Sequence, residues 1–418
     1  MSGTPRARPK GTQDFSPPDS ARKLHFENVF RHLAECYGYR EIITPTFEHT
    51  EVFVKSSGEA SDVVTKEMYS FKDRGDRDLT LRPEGTPGVV RAVLENRLRL
   101  PCRLYYVGPF FRYGRPQKGR FREFYQVGVE ALGEASPLVD AEIVYFGTEF
   151  FRSLGIRDCT VQVNSIGCRE CRPAHRDSLT RFLAGQRDRL CADCHVRLEH
   201  NPLRVFDCKV ETCQAALKDA PTPRQYLCAA CKRHHEQVLT ELSRRGLHPE
   251  ANDRLVRGLD YYSRTTFEYI SGSLGAQDSL GGGGRYDYLI EEFGGPDTPG
   301  VGLAIGLERT MLAAPVAPVP ARRQLAFVVW LTEAELNAAQ ELADRLRADG
   351  IPAQVDYDAR KVKGQFKSAD AAQAACCIII GPDELTKGVY SLKNLATGEQ
   401  REVSSDTVSA EVRKLFTD

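Results

Sequence analysis

The sequence predicts a mixed α+β chain of more than one domain, and three observations carry that expectation. The stretch Gly108 to Glu130, GPFFRYGRPQKGRFREFYQVGVE, reads as a strand, a basic loop and a returning strand. Residues 168–231 change character and concentrate cysteine. After AAPVAPVPARRQ, 313–324, which reads as a linker, strands and helices alternate over about 95 residues, the pattern of a small α/β domain.

Composition bounds the rest. The 418 residues leave room for two or three domains, and 41% hydrophobic content supports ordinary cores. Lys and Arg total 57, as do Asp and Glu, so a nucleic-acid partner would have to be met by a local patch. No apolar run reaches the roughly 18 residues of a membrane span. The N-terminal MSGTPRARPKGTQDFSPPD lacks the apolar segment of a secretory signal. The expected location is the cytoplasm, with no membrane partner. Thirteen cysteines in such a chain argue for free thiols or metal ligands over disulfides.

Taken in order, Asp19 is placed to cap a helix carrying Leu24, Val29, Phe30, Leu33 and Tyr37, ended by Gly38. YREIITPTFEHTEVF reads as a strand interrupted at Pro45, because proline cannot donate to a ladder; a subunit contact and a simple bulge both suit it. Residues 56–76 read as a polar loop and Asp78 to Arg82 as a short strand. In LRPEGTPG, Thr86 suits an N-cap, with Pro87 opening the helix VVRAVLENRL. Glu84 can grip an ammonium group and Arg82 a carboxylate or phosphate, or the two can pair with each other.

Within 108–130, Arg112, Arg115, Lys118, Arg120 and Arg122 fall in eleven positions, and Gly114, Pro116 and Gly119 punctuate the turn. With a period of two, Arg122, Phe124, Gln126, Gly128 and Glu130 share one strand face. Such a face carries a cation, an amide, bare backbone and a carboxylate, which suits the floor of a site for a phosphorylated ligand. A helix over 138–154 and a strand over 159–164 follow.

The cysteine-rich segment holds three CxxC pairs, Cys168/Cys171, Cys191/Cys194 and Cys228/Cys231, and the looser pair Cys208/Cys213. A CxxC turn aims two thiolates at one ion, and four complete a tetrahedron around a structural zinc. Pairing in chain order puts Cys168, Cys171, Cys191 and Cys194 in one set and Cys208, Cys213, Cys228 and Cys231 in the other. Buried or reactive free thiols are the other reading. Arg169, Arg172, Arg176 and their basic neighbours suit either an RNA-facing surface or a solvated helical face.

VRGLDYYSRTTFEYI, 256–270, is strand-like at both ends, with Arg257, Asp260, Tyr261, Tyr262 and Arg264 dense in chemistry. Gly281 to Gly284 permit close approach to a ligand or a flexible turn. The spacing is not a dinucleotide fingerprint. GVGLAIGLER, 300–309, reads as a small-residue strand turning into a helix, where Gly302 and Gly306 leave room for a flat base and Arg309 can reach phosphate.

Together these motifs resemble the bacterial histidyl-tRNA synthetase family, of the class II aminoacyl-tRNA synthetases. GYREIITPTFEH resembles class motif 1, FRYGRPQKGRFREFYQVGVE motif 2 and GLAIGLER motif 3, while RGLDYY (257–262) and GGGRYD (282–287) resemble the peptides that mark the histidine enzyme. The resemblance spans essentially the whole chain. It implies an antiparallel sheet of about six strands flanked by helices, a catalytic domain in two parts (1–167 and 251–320), a cysteine-rich insertion (168–250), a C-terminal anticodon-binding domain (325–418) and a homodimer. Its implied substrates are L-histidine, ATP with Mg2+, and tRNA(His). By residue match, Arg112 would contact the α-phosphate with Arg257 opposite, and Arg309 the γ-phosphate. Glu84, Glu130 and Tyr262 would surround histidine, with Thr86, Gln126 and Tyr261 close by. Arg115 and Gln117 would reach the first base pair of the tRNA acceptor stem. The competing readings are a non-catalytic histidine-binding regulatory subunit of ATP phosphoribosyltransferase and a zinc-dependent RNA-binding module.

Overall fold

A computed structural model describes residues 7–58, 61, 63–275, 278–315, 323–358 and 361–417. The chain divides into two compact units, Met1–Val316 and Ala317–Asp418. Most of the segment expected as a linker, residues 316–322, lies outside the described residues.

The strands of the first unit are β1 (Arg40–Glu41), β2 (Phe47–His49), β3 (Tyr69–Lys72), β4 (Asp78–Leu81), β5 (Cys102–Phe111), β6 (Glu123–Leu132), β7 (Cys159–Ser165), β8 (Glu250–Ala251), β9 (Ser263–Ser271), β10 (Ser279–Arg285) and β11 (Gly300–Gly306). Eight of them form one sheet in the order β1-β5-β6-β11-β10-β9-β7-β8. The six central strands are antiparallel throughout, and the two-residue edge strands β1 and β8 join in parallel.

Two helices, α1 (Asp19–Cys36) and α4 (Pro137–Ser153), cover one face; between them in the chain lie α2 (Thr50–Ser57) and α3 (Thr86–Glu95). The alternation along β6 decides which side is which. Val127, Val129 and Ala131 pack with Phe26 and Phe30 of α1 and Phe146 and Phe150 of α4, leaving Gln126, Gly128 and Glu130 for the opposite face. Burying that aromatic layer supplies the main driving force for this half of the unit.

Several local expectations change. The helix α1 starts at Asp19 itself, with no side-chain cap, and Leu24 is 54% exposed. Thr50 to Ser57 is helical, so the EVF end of the motif 1 stretch is not strand. Within 56–76, β3 pairs antiparallel with β4, which orders much of what reads as a loop. The four-glycine run is strand β10, between β9 and β11. Residues 252–262 contain no strand; β9 begins at Ser263.

The insertion is helical: α5 (Arg172–Ala184), α6 (Ala192–His200), α7 (Glu211–Ala216) and α8 (Ala229–Arg244). The unit ends with α9 (Leu289–Glu292) and α10 (Leu307–Ala313). Among the described residues, no helix is long and apolar enough to cross a membrane.

The second unit has strands β12 (Arg323–Trp330), β13 (Ala353–Val355), β14 (Ala374–Ile380), β15 (Val389–Asn394) and β16 (Gln400–Ser404), in the order β13-β12-β14-β15-β16. Its helices are α11 (Leu336–Ala348), α12 (Val362–Ala371), α13 (Pro382–Lys387) and α14 (Val408–Thr417). Buried Gln365 accepts from Trp330 N and donates to Trp330 O, satisfying both backbone groups at that strand end. Cys376 and Cys377 are fully buried core residues.

Candidate active site

The sheet face away from α1 and α4 opens into a cavity of about 330 Å³. Of the residues singled out in the sequence, Glu84, Thr86, Arg112, Gln126, Arg257, Tyr261, Tyr262 and Arg309 line it. Strand pairing brings them together: Gln126 lies opposite Gly306 at the foot of α10, and Glu130 opposite Gly302.

One end is acidic and phenolic. The Tyr261 hydroxyl donates to Glu84 Oε2 at 2.7 Å, and its ring lies 4.6 Å from that of Tyr262. Thr86 is the first residue of α3 rather than its cap, and its hydroxyl donates to Glu130 Oε1 at 2.6 Å. The Tyr286 hydroxyl donates to the other oxygen of Glu130. Glu130 therefore sits one layer behind the cavity wall. The space it needs exists because residue 302 is glycine: a Cβ there would lie 1.8 Å from Glu130 Oε2. The room once reserved there for a flat base is thus filled by a carboxylate, whereas a Cβ on Gly306 would meet only Leu280 O, at 3.9 Å.

Burial pushes the Glu130 carboxyl from its ordinary 4.5 up to about 8, with neighbouring Glu84 adding to the rise and the two hydroxyl donors opposing it. Between these values the folded chain holds a proton that the unfolded chain has lost, so stability falls as pH rises through that window. Glu130→Gln cannot ionise. It is expected to lose less stability than the parent between pH 5 and 8, read as melting temperature against pH. Parallel curves for the two proteins would contradict a buried neutral Glu130.

The other end is cationic. Arg112 Nε donates to Pro83 O at 2.8 Å, and Arg112 lies over the Phe124 ring at 5.5 Å. Arg309 donates to Gly119 O at 3.2 Å and Ser279 O at 2.9 Å. Burial, followed by neighbouring Arg120 and Arg112, lowers the Arg309 pKa, so guanidinium groups converge where an anion would relieve their repulsion. Arg257 donates to Glu268 at 2.7 Å. Burial works against its charge, but Glu268, Tyr262, Tyr261 and Asp207 outweigh that and raise its pKa. Three atoms of the lining residues, Gln126 Oε1, the Tyr106 hydroxyl and Arg257 Nε, are buried with no hydrogen-bond partner among the described residues. Such atoms call for a ligand or water.

The five basic residues of 112–122 take different roles. Arg112 and Arg120 line the cavity, and Arg120 is tethered to Glu67 at 2.5 Å. Arg122 packs over Tyr113. Arg115, Gln117 and Lys118 are exposed at the loop tip, outside the cavity. Arg82 does not pair with Glu84 among the interactions described: it donates to the carbonyls of Thr44 and Pro109, bracing the strand ends.

Sequence reasoning missed Tyr106, Tyr286 and Glu268. Tyr106 lies opposite Gly128 across β5 and β6, and a Cβ on Gly128 would approach its ring to 2.3 Å. The bare glycine on the ligand face was the available signal, since a gap in a buried face requires a bulky neighbour.

The cysteines gather in two groups, but not in chain order. Cys168, Cys171, Cys228 and Cys231 form one, and Cys191, Cys194, Cys208 and Cys213 the other. The first and last CxxC pairs lie at the starts of α5 and α8, and their sulfurs come together there. Sγ separations are 3.7, 3.8 and 3.9 Å in the first group and 3.8 Å in the second. Zinc–sulfur bonds of about 2.3 Å in a tetrahedron require edges of about 3.8 Å, so both groups fit a tetrathiolate ion.

Comparisons with known proteins agree along the chain. A family model described as histidyl-tRNA synthetase matches residues 11–310, and one described as anticodon binding domain matches 325–415. The histidine–tRNA ligase of Moorella thermoacetica is 46% identical over 415 residues, covering 98% of each chain. That of Halothermothrix orenii is 45% identical over 413 residues, covering 97% of this chain and 99% of its own. A crystal structure of apo Staphylococcus aureus histidyl-tRNA synthetase superposes with a TM-score of 0.82 at 34% identity, covering 98% of this chain and 100% of that one.

Proposed function

This chain belongs to the histidyl-tRNA synthetase family and is an ATP-dependent ligase of histidine to tRNA; we propose that the cavity over β6, β10 and β11 is where it works and assign its residues accordingly. The observation that carries the assignment is the joining of two chemistries in one cavity: a carboxylate–phenol end at Glu84 and Tyr261, and a guanidinium end at Arg112, Arg257 and Arg309. An amino acid and a triphosphate fit head to tail in such a space.

In the first step the histidine carboxylate attacks the α-phosphorus of ATP and pyrophosphate leaves. No side-chain nucleophile is needed. Arg112 and Arg257 hold the α-phosphate from opposite sides and neutralise charge that grows there. Arg309 holds the γ-phosphate, and the base lies on Phe124 toward Gly306. Glu84 and Thr86 orient the ammonium group, Tyr262 and Gln126 border the imidazole, and Glu130 acts from behind by fixing Thr86 and Tyr286. A competitor lacking the ring nitrogens leaves buried polar atoms unpaired. In the second step a ribose hydroxyl of the 3′-terminal adenosine of tRNA(His) attacks the activated carbonyl, the acyl–phosphate bond breaks, and AMP leaves as the hydroxyl gives up its proton, with Arg115 and Gln117 on the acceptor stem.

Magnesium fits as a partner of ATP rather than of a protein cage: the lining carboxylates Glu84 and Glu308 are engaged by Tyr261 and by the Tyr125 N–H. When bound, it supplies charge neutralisation on the outer phosphates. Both cysteine groups are assigned structural zinc, in keeping with reduced thiols in the cytoplasm. The insertion is placed at 168–250, between catalytic parts 1–167 and 251–320, ahead of the anticodon-binding domain at 325–418. Around motif 1, Ile43 is 85% exposed, Phe47 51% and Phe71 44%. Exposed apolar side chains of this size suit burial against a second copy, the homodimer.

Pyrophosphate exchange screened across the amino acids tests the reading. Exchange is expected with histidine, followed by charging of tRNA(His). Histidine binding without exchange would favour the regulatory-subunit reading, and tRNA binding without either would favour the RNA-binding module.

A further inference from the structure

The second cysteine group shares one apolar cluster with Tyr261 and Tyr262 of the cavity wall. Cys194 sits on α6, and Cys208 follows a 3-10 turn, Pro202–Asp207. Short 3-10 segments of this kind have little stability of their own. An ion shared by Cys194 and Cys208 closes the intervening segment into a ring, so its conformation depends on the cluster.

That segment carries the side chains that hold the 257–262 loop. Asn201 Nδ2 donates to Asp260 Oδ1 at 2.8 Å. Arg204, 8% exposed, donates to Gly258 O at 3.0 Å and lies 3.8 Å from Asp260 Oδ1. Asp207 pairs with Arg204 at 3.3 Å. The loop gripped in this way carries Arg257, Tyr261 and Tyr262, all of which line the cavity. Its packing is shared too: Val205, Phe206, Cys208 and Cys213 belong to one apolar cluster with Tyr261, Tyr262 and Tyr286. None of 201–207 lines the cavity itself.

We infer that the segment 201–207 is a positioning element for the histidine wall, with Arg204 its principal contact, and that metal at Cys191, Cys194, Cys208 and Cys213 holds it in register. The insertion then bears on histidine recognition, not only on stability or tRNA. The inference rests on the reading of 257–262 as part of the histidine pocket.

The test uses the full chain, purified without chelator, and measures zinc content, histidine binding by calorimetry, and KM for histidine and ATP in pyrophosphate exchange. The parent is expected to hold two zinc ions per chain, one per cysteine group. Arg204→Ala is expected to keep both ions, to weaken histidine binding and raise its KM about tenfold or more, and to leave the ATP KM within about twofold. Arg204→Lys is expected to recover part of the loss through its remaining charge. Cys208→Ser is expected to lose one ion and reproduce the selective rise in histidine KM. Unchanged histidine binding in Arg204→Ala, or equal shifts in both KM values, would overturn the positioning role. Loss of an ion in Cys208→Ser with unchanged histidine KM, or a parent without zinc, would overturn the link to metal. Absence of histidine-dependent exchange in the parent would instead remove the functional reading on which the inference stands.

Discussion

Arg257→Ala is expected to slow formation of histidyl-adenylate by about a hundred- to a thousandfold, roughly 3–4 kcal/mol of transition-state stabilisation, while histidine still binds. The guanidinium is held by Glu268 at 2.7 Å, and its Nε is a buried donor with no partner among the described residues. It is therefore oriented before substrate arrives, and little reorganisation is needed when charge develops on phosphate. Among the described residues, removing it leaves Ser279, at 2.6 Å, as the donor to the Glu268 side chain, so a carboxylate would face the proposed phosphate position. Repulsion then adds to the lost attraction. The double variant Arg257→Ala/Glu268→Gln separates the two effects, because it removes the repulsion without restoring the cation. It is expected to recover part of the rate but not most of it. Single-turnover adenylation is the measurement, since steady-state rates can report product release. A rate within twofold of the parent would exclude Arg257 from the chemistry.

Gln126 was legible as a lining residue from the alternation of its strand, whereas Arg112 came with the motif 2 resemblance and Glu84 read equally as a ligand group or as a partner of Arg82; all three line the cavity. The register along β6 was legible too, since a period of two needs only the strand and its apolar alternation. What failed was whatever depends on segments far apart. The cysteine pairs were grouped in chain order because spacing carries no information about which helices converge; Cys168 and Cys228, sixty positions apart, lie with sulfurs at 3.9 Å. The run Gly281 to Gly284 shows no alternation, so only the sheet neighbours Glu268 and Ala304, opposite Gly282, reveal it as strand. Arg82 looked like a ligand beside Glu84, yet the carbonyls of Thr44 and Pro109 claim it. Tyr106 lay hidden in an apolar strand, and its place in the site follows only from its register with Gly128.

Deleting residues 325–418 is expected to leave histidine-dependent pyrophosphate exchange within about threefold of the parent and to lower kcat/KM for tRNA charging about a hundredfold, near 2.7 kcal/mol. The division follows from where the parts are made. Every residue lining the cavity, from Glu84 to Arg309, belongs to the first unit, and so do the core clusters beneath it. The second unit builds its own core around Val328, Trp330, Leu342 and Ile378. It matches the anticodon-binding model over 325–415, and Lys361, Lys363 and Lys367 are exposed on and beside α12, where they can meet RNA phosphates. On the proposed assignment, chemistry at the adenylate would need only the first unit, and holding a tRNA at its far end would need the second. Phosphate contacts weaken steeply with salt, so the parent's charging should fall with salt more steeply than the truncated chain's. The comparison requires that the truncated chain keep the subunit state and zinc content of the parent, measured by light scattering and metal analysis. With those unchanged, equal loss of exchange and charging would show that the two units do not divide the reaction in this way.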